Sequence, residues 1–257
     1  MKSLLALKKD LVEIGKRVYD RGYVASNDGN ISARVDEKRF VITPTGVSKG
    51  YMSIEDMVLL DLNGKIVSGT KKPSSEMFMH LEIYKNRPDV NGVVHSHPPY
   101  ATGFAVAGIP LDKCILPEVI IVLGGIPLVE YGTPGTDEFY KPVLKILQKY
   151  DAFLLANHGT LTVGKDLFNA YYKTETLEHF AHIAFVAQQL GHMNVLNKDQ
   201  VQKLTDLREK FGIRTEVGCA TCEDEISCDT PASEGDSEKE RLIKEATEKV
   251  LRQLGTK

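Results

Sequence analysis

The stretch His95-Ser96-His97-Pro98-Pro99 constrains this chain more than any other. Val93 and Val94 precede it and read as the end of a buried strand. Pro98 has no amide hydrogen to donate and stops the ladder just after them. Residues i and i+2 of a strand point to the same face, so His95 and His97 present two imidazoles side by side. Imidazole is the commonest nitrogen ligand for a metal ion. Two solvated histidines at a polar strand end would give the same pattern, so the pair alone leaves both readings open. Other ligand types occur in similar settings. Glu76 stands in Pro73-Ser74-Ser75-Glu76, where a helical pattern begins. His158 stands in Asn157-His158-Gly159-Thr160, directly after the apolar run Phe153-Leu154-Leu155-Ala156. Three histidines and one glutamate, each at a strand end or a helix start, suit a catalytic metal site; a structural one would more readily use cysteine.

The remaining pattern is mixed α/β. Leu4, Leu7, Leu11, Ile14 and Val18 recur at helical spacing, and Gly22 is suited to end that helix. Residues 39–43 read as a strand, and Asn63-Gly64 between two apolar runs is a hairpin signal. The periodicity predicts helices over about 76–86, 100–107, 138–149, 166–190 and 198–211. It predicts strands over 91–97, 119–123, 127–130 and 151–156. The first half should form mostly antiparallel sheet.

The chain has 257 residues and a formal charge of -3, which suits one sizeable domain with an extension. No run approaches the roughly 18 apolar residues of a membrane span. The N-terminus lacks a signal-peptide pattern, and no basic stripe suggests nucleic acid. Cys114 stands apart from Cys219, Cys222 and Cys228. The cysteines do not resemble a secreted disulfide framework, so a reducing cytoplasm is expected. The stretch C-x2-C-x5-C lacks a fourth metal ligand and reads as thiols in a linker.

Composition divides the chain into a domain over 1–216, an acidic Ser-, Pro- and Gly-rich linker over 217–236, and a final helix over 237–257. Ser237-Glu238-Lys239-Glu240 is a capping box. Leu242, Ile243, Ala246, Val250, Leu251 and Leu254 then share one face. This helix either docks on its own protein or enters a groove on a partner.

Three polar turns form a candidate anion site: Asn27 to Asn30, Thr45-Gly46 and Ser74-Ser75. Backbone amides at glycine turns and helix starts bind phosphate readily. Ser75 equally suits a helix cap. His80 shares the helix face of Glu76 and reads as packing. His179 and His182 are three apart on a long helix and read as solvated or core-edge residues rather than a chelating pair.

With these residues in view, the chain resembles the class II aldolase/adducin-like family over about residues 1–215. The likeness rests on Gly29-Asn30-Ile31-Ser32, Thr43-Pro44-Thr45-Gly46, Pro73-Ser74-Ser75-Glu76, His95-Ser96-His97 and His158-Gly159. Its fuculose-phosphate aldolase branch is the nearest in pattern. The resemblance implies a three-layer α/β/α domain around a mostly antiparallel sheet, and a homotetramer with active sites between subunits. It implies one zinc ion per subunit on His95, His97 and His158, with Glu76 as exchangeable fourth ligand and base. Substrate phosphate would lie on Asn30, Thr45, Gly46, Ser74 and Ser75, with Asn27 beside them. The reaction implied is retro-aldol cleavage of a ketose 1-phosphate to dihydroxyacetone phosphate and a short aldehyde. Two positions depart from the pattern, with Glu118 and Phe211 standing where that branch carries tyrosines. Glu118 or Tyr131 is then expected to protonate the aldehyde product. Ribulose-5-phosphate 4-epimerases and methylthioribulose-1-phosphate dehydratases resemble the chain too, as do non-catalytic adducin-type modules that lack the metal ligands. The tail resembles the encapsulation peptides that bring enzymes to bacterial microcompartment shells. That likeness implies shell proteins as partners and a cytoplasmic location inside such a compartment.

Overall fold

A computed structural model describes residues 2–221. Its centre is an eight-stranded sheet in the order β4-β3-β2-β1-β5-β8-β7-β6. The strands are β1 (Asn30–Arg34), β2 (Arg39–Ile42), β3 (Val58–Asp61), β4 (Ile66–Ser68), β5 (Gly92–Ser96), β6 (Leu128–Val129), β7 (Ala152–Leu155) and β8 (Gly159–Gly164). Every neighbouring pair is antiparallel except β6 and β7. The mostly antiparallel sheet expected from the hairpin signals is therefore present, and it extends through the second half of the chain.

Helices cover both faces. They are α1 (Leu4–Asp20), α2 (Met77–Asn86), α3 (Pro99–Ala107), α4 (Pro117–Val122), α5 (Asp137–Ile146), α6 (Leu167–Gln189) and α7 (Lys198–Lys210). On one face Phe40, Leu60, Val93 and Leu161 pack against Leu81 and Tyr84 of α2 and Phe139 and Val143 of α5. On the other, Ile31, Val41 and Val94 pack against Leu11 and Ile14 of α1 and Ala170 and Tyr171 of α6. Val93 and Val94 thus divide between the two cores, as the two-residue period of a strand requires. The result is the three-layer α/β/α arrangement. No helix among the described residues is long and apolar enough to cross a membrane.

Three expectations need correction. Residues 119–123 form part of α4 rather than a strand. Pro117 at its first position supplies a φ suited to a helix start. A short apolar run cannot by itself be assigned to strand or helix, and Val119 and Ile120 are buried here from a helix. No strand is predicted over Gly159-Thr160-Leu161-Thr162-Val163-Gly164, yet β8 forms there. Its threonines are buried and satisfied, Thr162 by the Ala170 carbonyl and the Thr174 hydroxyl. Finally, Cys114 is not alone, since it forms a disulfide with Cys219. Residues 217–221 pack against the domain, with Cys114 N–H donating to the Ala220 carbonyl and Gly218 N–H to Gly124. The remainder of the expected linker and the expected helix over 237–257 lie outside the described residues.

Candidate metal centre

Strand β5 carries His95 and delivers His97 one residue beyond its end. The adjacent start of β8 delivers His158 from a tight connection in which Asn157 takes a left-handed φ of 56°. Gly159 permits this approach. A Cβ there would stand 2.5 Å from the His97 ring and 2.6 Å from the Ser96 carbonyl oxygen. The side-chain nitrogens of His95, His97 and His158 lie within 4.8 Å of one another. His95 Nε2 is 3.2 Å from His97 Nε2 and 3.0 Å from His158 Nε2. Glu76, just before α2, completes the group, with Oε2 3.2 Å from His95 Nε2 and Oε1 3.3 Å from His158 Nε2.

Four donors at about 2.0–2.1 Å from a tetrahedral ion stand about 3.3 Å apart. The observed separations match that, and three nitrogens with one carboxylate form the donor set of a catalytic rather than a structural zinc site. Secondary contacts prepare the nitrogens. His95 Nδ1 donates to the Thr160 carbonyl at 2.8 Å, which leaves its Nε2 lone pair facing the group. His97 Nδ1 faces Asp28 Oδ2 at 3.6 Å. The His158 ring stacks on His95 and meets the edge of Phe139. Burial pushes the His95 imidazole down to about 3, and the nearby histidines push the same way, so it is neutral near pH 7. Burial likewise lowers His97. For Glu76 burial acts upward, but the imidazoles of His95 and His158 and the Asn30 amide outweigh it and hold the carboxyl below its ordinary range.

The three polar turns converge beside this group. Thr45 N–H donates to the Lys72 carbonyl and Ser74 N–H to that of Thr43, which joins the second and third turns. The Lys49 ammonium, buried beneath, donates to the carbonyls of Asn27 and Val47 at 2.9 Å each and joins the first to the second. Gly46 takes a φ of 71° that favours glycine, and a Cβ there would meet nothing within 4 Å, so the turn opens to solvent. Asn30 is buried and donates from Nδ2 to Glu76 Oε2 at 2.7 Å. Ser74, not Ser75, accepts the amide of Glu76, and Ser75 is exposed.

The other anticipated residues lie elsewhere. Glu118 is exposed in the first turn of α4, Tyr131 is exposed after β6, and Phe211 is exposed after α7. Among the described residues, no hydrogen bond or ion pair joins Glu118 or Tyr131 to the histidines. His179 and His182 lie on α6, with the His182 ring stacked on Tyr100 at 3.9 Å. Lys49 has no place in the sequence reading, and His80 is read there as packing. A lysine next to a turn reads as surface, and a histidine at i+4 on an apolar helix face reads as packing.

Residues 9–185 match the family model described as the class II aldolase and adducin N-terminal domain. Among known proteins, the L-fuculose phosphate aldolase of Methanococcus maripaludis is 40% identical over 181 residues, 70% of this chain and 97% of the relative. The 3-oxo-tetronate 4-phosphate decarboxylase of Haemophilus influenzae is 35% identical over 188 residues, 72% of this chain and 89% of the relative. Among solved structures, an L-fuculose 1-phosphate aldolase superposes with a TM-score of 0.74 at 32% identity, covering 80% of this chain and 96% of its own.

Proposed function

The chain belongs to the class II aldolase and adducin N-terminal domain family, and from that premise we propose that it is a zinc-dependent aldolase acting on a ketose 1-phosphate of the L-fuculose 1-phosphate type. The products are dihydroxyacetone phosphate and a short aldehyde such as lactaldehyde. The observation that carries this reading is the convergence of His95, His97, His158 and Glu76 beside three amide-rich turns.

In this proposal His95, His97 and His158 hold the ion, and Glu76 is a fourth ligand that substrate can replace. A bound zinc ion supplies Lewis-acid stabilisation for negative charge developing on the ketose oxygens. The chain's own groups do the rest. Asn27, Asn30, Thr45, Gly46, Ser74 and Ser75 seat the phosphate, which leaves the C3–C4 bond next to Glu76. When that bond breaks, the electron pair stays with C3 and the C4 hydroxyl passes its proton through Glu118 or Tyr131 to solvent as the aldehyde forms. Glu76, once protonated from solvent, gives its proton to C3. Because Glu118 and Tyr131 stand apart from the cluster of their own chain, they act in this reading from a neighbouring subunit of a homotetramer.

The decarboxylase relative gives a second reading. Loss of carbon dioxide from a 3-oxo acid phosphate also leaves a carbanion beside a carbonyl, and the same groups suit it. The test is a panel of ketose 1-phosphates, ketose 5-phosphates and a 3-oxo-tetronate 4-phosphate, run with and without chelator, with products identified directly. Dihydroxyacetone phosphate from a ketose 1-phosphate, abolished by chelation, supports the aldolase. Carbon dioxide and dihydroxyacetone phosphate from the 3-oxo-tetronate 4-phosphate, with no cleavage of any ketose 1-phosphate, moves the assignment to the decarboxylase. The proposal extends to the tail, whose residues 237–257 suit a targeting helix for microcompartment shell proteins.

A further inference from the structure

His80 lies on α2, one turn after Glu76, and touches none of the histidines of the cluster. It is fully buried, and both of its ring nitrogens are engaged. Nδ1 is 2.6 Å from Ser32 Oγ, and Nε2 is 2.5 Å from Asn30 Oδ1. Ser32 Oγ is in turn 2.8 Å from the Tyr84 hydroxyl. Asn30 Nδ2 is 2.7 Å from Glu76 Oε2. Five side chains thus form one continuous line from α2 through β1 and back to Glu76. Tyr84, Ser32, His80 and Asn30 are all at most 4% exposed.

The atoms fix the direction of every bond. Glu76 as a carboxylate only accepts, so the Asn30 amide must turn its nitrogen toward it; the reverse would oppose two acceptors. Asn30 Oδ1 then faces His80 and accepts, which places the imidazole hydrogen on Nε2. Burial pushes His80 down to about 4, so the ring is neutral and Nδ1 carries a bare lone pair. The Ser32 hydroxyl donates to that lone pair, and the Ser32 oxygen accepts from Tyr84. All four bonds run one way, with no group left short of a partner. An amide held only by Glu76 would be free to rotate, and a buried half-satisfied amide is costly.

We infer that His80 is a positioning residue: by donating from Nε2 to Asn30 it holds the Asn30 amide nitrogen against Glu76 and so fixes the carboxylate that transfers the proton. This rests on the reading of Glu76 as the proton-transferring group. Outer partners of this kind typically change metal affinity or activity by 10–100-fold when removed.

The test has a substrate-free arm and a kinetic arm. In the first, zinc-loaded full-length protein is labelled with ¹⁵N-histidine, and the His80 signals are assigned by their loss in His80→Gln. The expected result is a neutral ring protonated at Nε2. A ring protonated at Nδ1, or at both nitrogens, overturns the inference. In the second arm His80→Leu should keep one zinc per subunit while kcat falls by about 10–100-fold. His80→Gln retains an N–H for Asn30 and should recover most of that loss. Wild-type kcat in His80→Leu, or an equal loss in both variants, means that the residue only packs. If His80→Leu does not fold, Ser32→Ala removes the donor to Nδ1: a retained Nε2–H tautomer with retained kcat supports the proposal, whereas a ring shifted to Nδ1–H with kcat unchanged would overturn it. The tautomer is read without substrate, so a wrong choice of sugar fails separately from a wrong role for His80.

Discussion

His95 Nδ1 donates to the carbonyl of Thr160 at 2.8 Å, and this bond across β5 and β8 decides which nitrogen of His95 is available. The acceptor is a main-chain atom of the neighbouring strand, so the tautomer is set by sheet pairing. His97 and His158 aim their Nε2 atoms at the nitrogen thereby exposed.

Replacing His95, His97 or His158 by Ala should therefore remove most bound zinc, since each supplies one of the three nitrogens that converge there. Turnover should fall below about a hundredth of wild type. Metal analysis of purified variants checks this, and full activity in a metal-free variant would sink the site assignment.

Glu76→Gln should separate binding from chemistry. The amide still fills the space beside His95 and His158, so zinc content should stay above that of the histidine variants. It cannot take up and return a proton at neutral pH, so kcat should drop by around 10²–10⁴-fold. A near-wild-type kcat would give the proton transfer to another group.

Lys49 predicts a pH dependence. Burial lowers its ammonium to about 8, although Asp28 and Glu76 act to raise it. Below that pH the amine is charged and holds the carbonyls of Asn27 and Val47; above it the cation that joins two of the polar turns is lost. KM for a phosphorylated substrate should rise above pH about 8. In Lys49→Met it should be raised by about tenfold at pH 7 and be flatter with pH. Stability has its own sign. The free lysine value is 10.5, so between about 8 and 10.5 the unfolded chain binds a proton that the folded chain has released. Wild type should accordingly gain stability relative to Lys49→Met as pH rises through that window. A KM ratio constant from pH 6 to 10 would contradict the assignment.

The disulfide gives a prediction apart from catalysis. Cys114 and Cys219 are 105 residues apart, and closing such a loop in the unfolded chain is worth up to about 4.7 kcal/mol in the chain-entropy model. Cys114→Ser should lower the unfolding free energy by about 2–4 kcal/mol while zinc content stays near wild type. An unchanged melting temperature in oxidising and reducing buffer alike would show that the bond is not formed in solution.

Local pattern revealed much of this. The i, i+2 spacing in β5 gave the two imidazoles, and the polar turns were visible as turns. What escaped notice was whatever depends on distant packing. Strand β8 is polar in sequence, and its threonines are tolerable inside only because α6 and β5 satisfy them. The Cys114 partner lies 105 residues away. His80 looks like a core residue until Asn30, 50 positions earlier on β1, is laid against it.

The tail prediction follows from what the catalytic group does not use. His95, His97, His158, Glu76 and the three turns all lie before residue 160, and residues 9–185 carry the family match. Residues 237–257 add a capping box, an apolar face and Glu-to-Lys pairs at i, i+4, from Glu240 to Lys244 and from Glu245 to Lys249. If this pattern folds as a helix, its apolar face needs a groove to cover it. A compartment shell is a fitting partner for an enzyme releasing a reactive, diffusible aldehyde. Deleting residues 223–257 leaves the Cys114–Cys219 bond in place, and on the targeting reading zinc content, assembly and kcat should stay within about twofold. The same deletion should abolish co-purification with shell proteins, and the tail fused to a fluorescent protein should localise to shells. If the truncated enzyme instead dissociates or loses turnover, the helix belongs to the catalytic assembly and the targeting role is wrong.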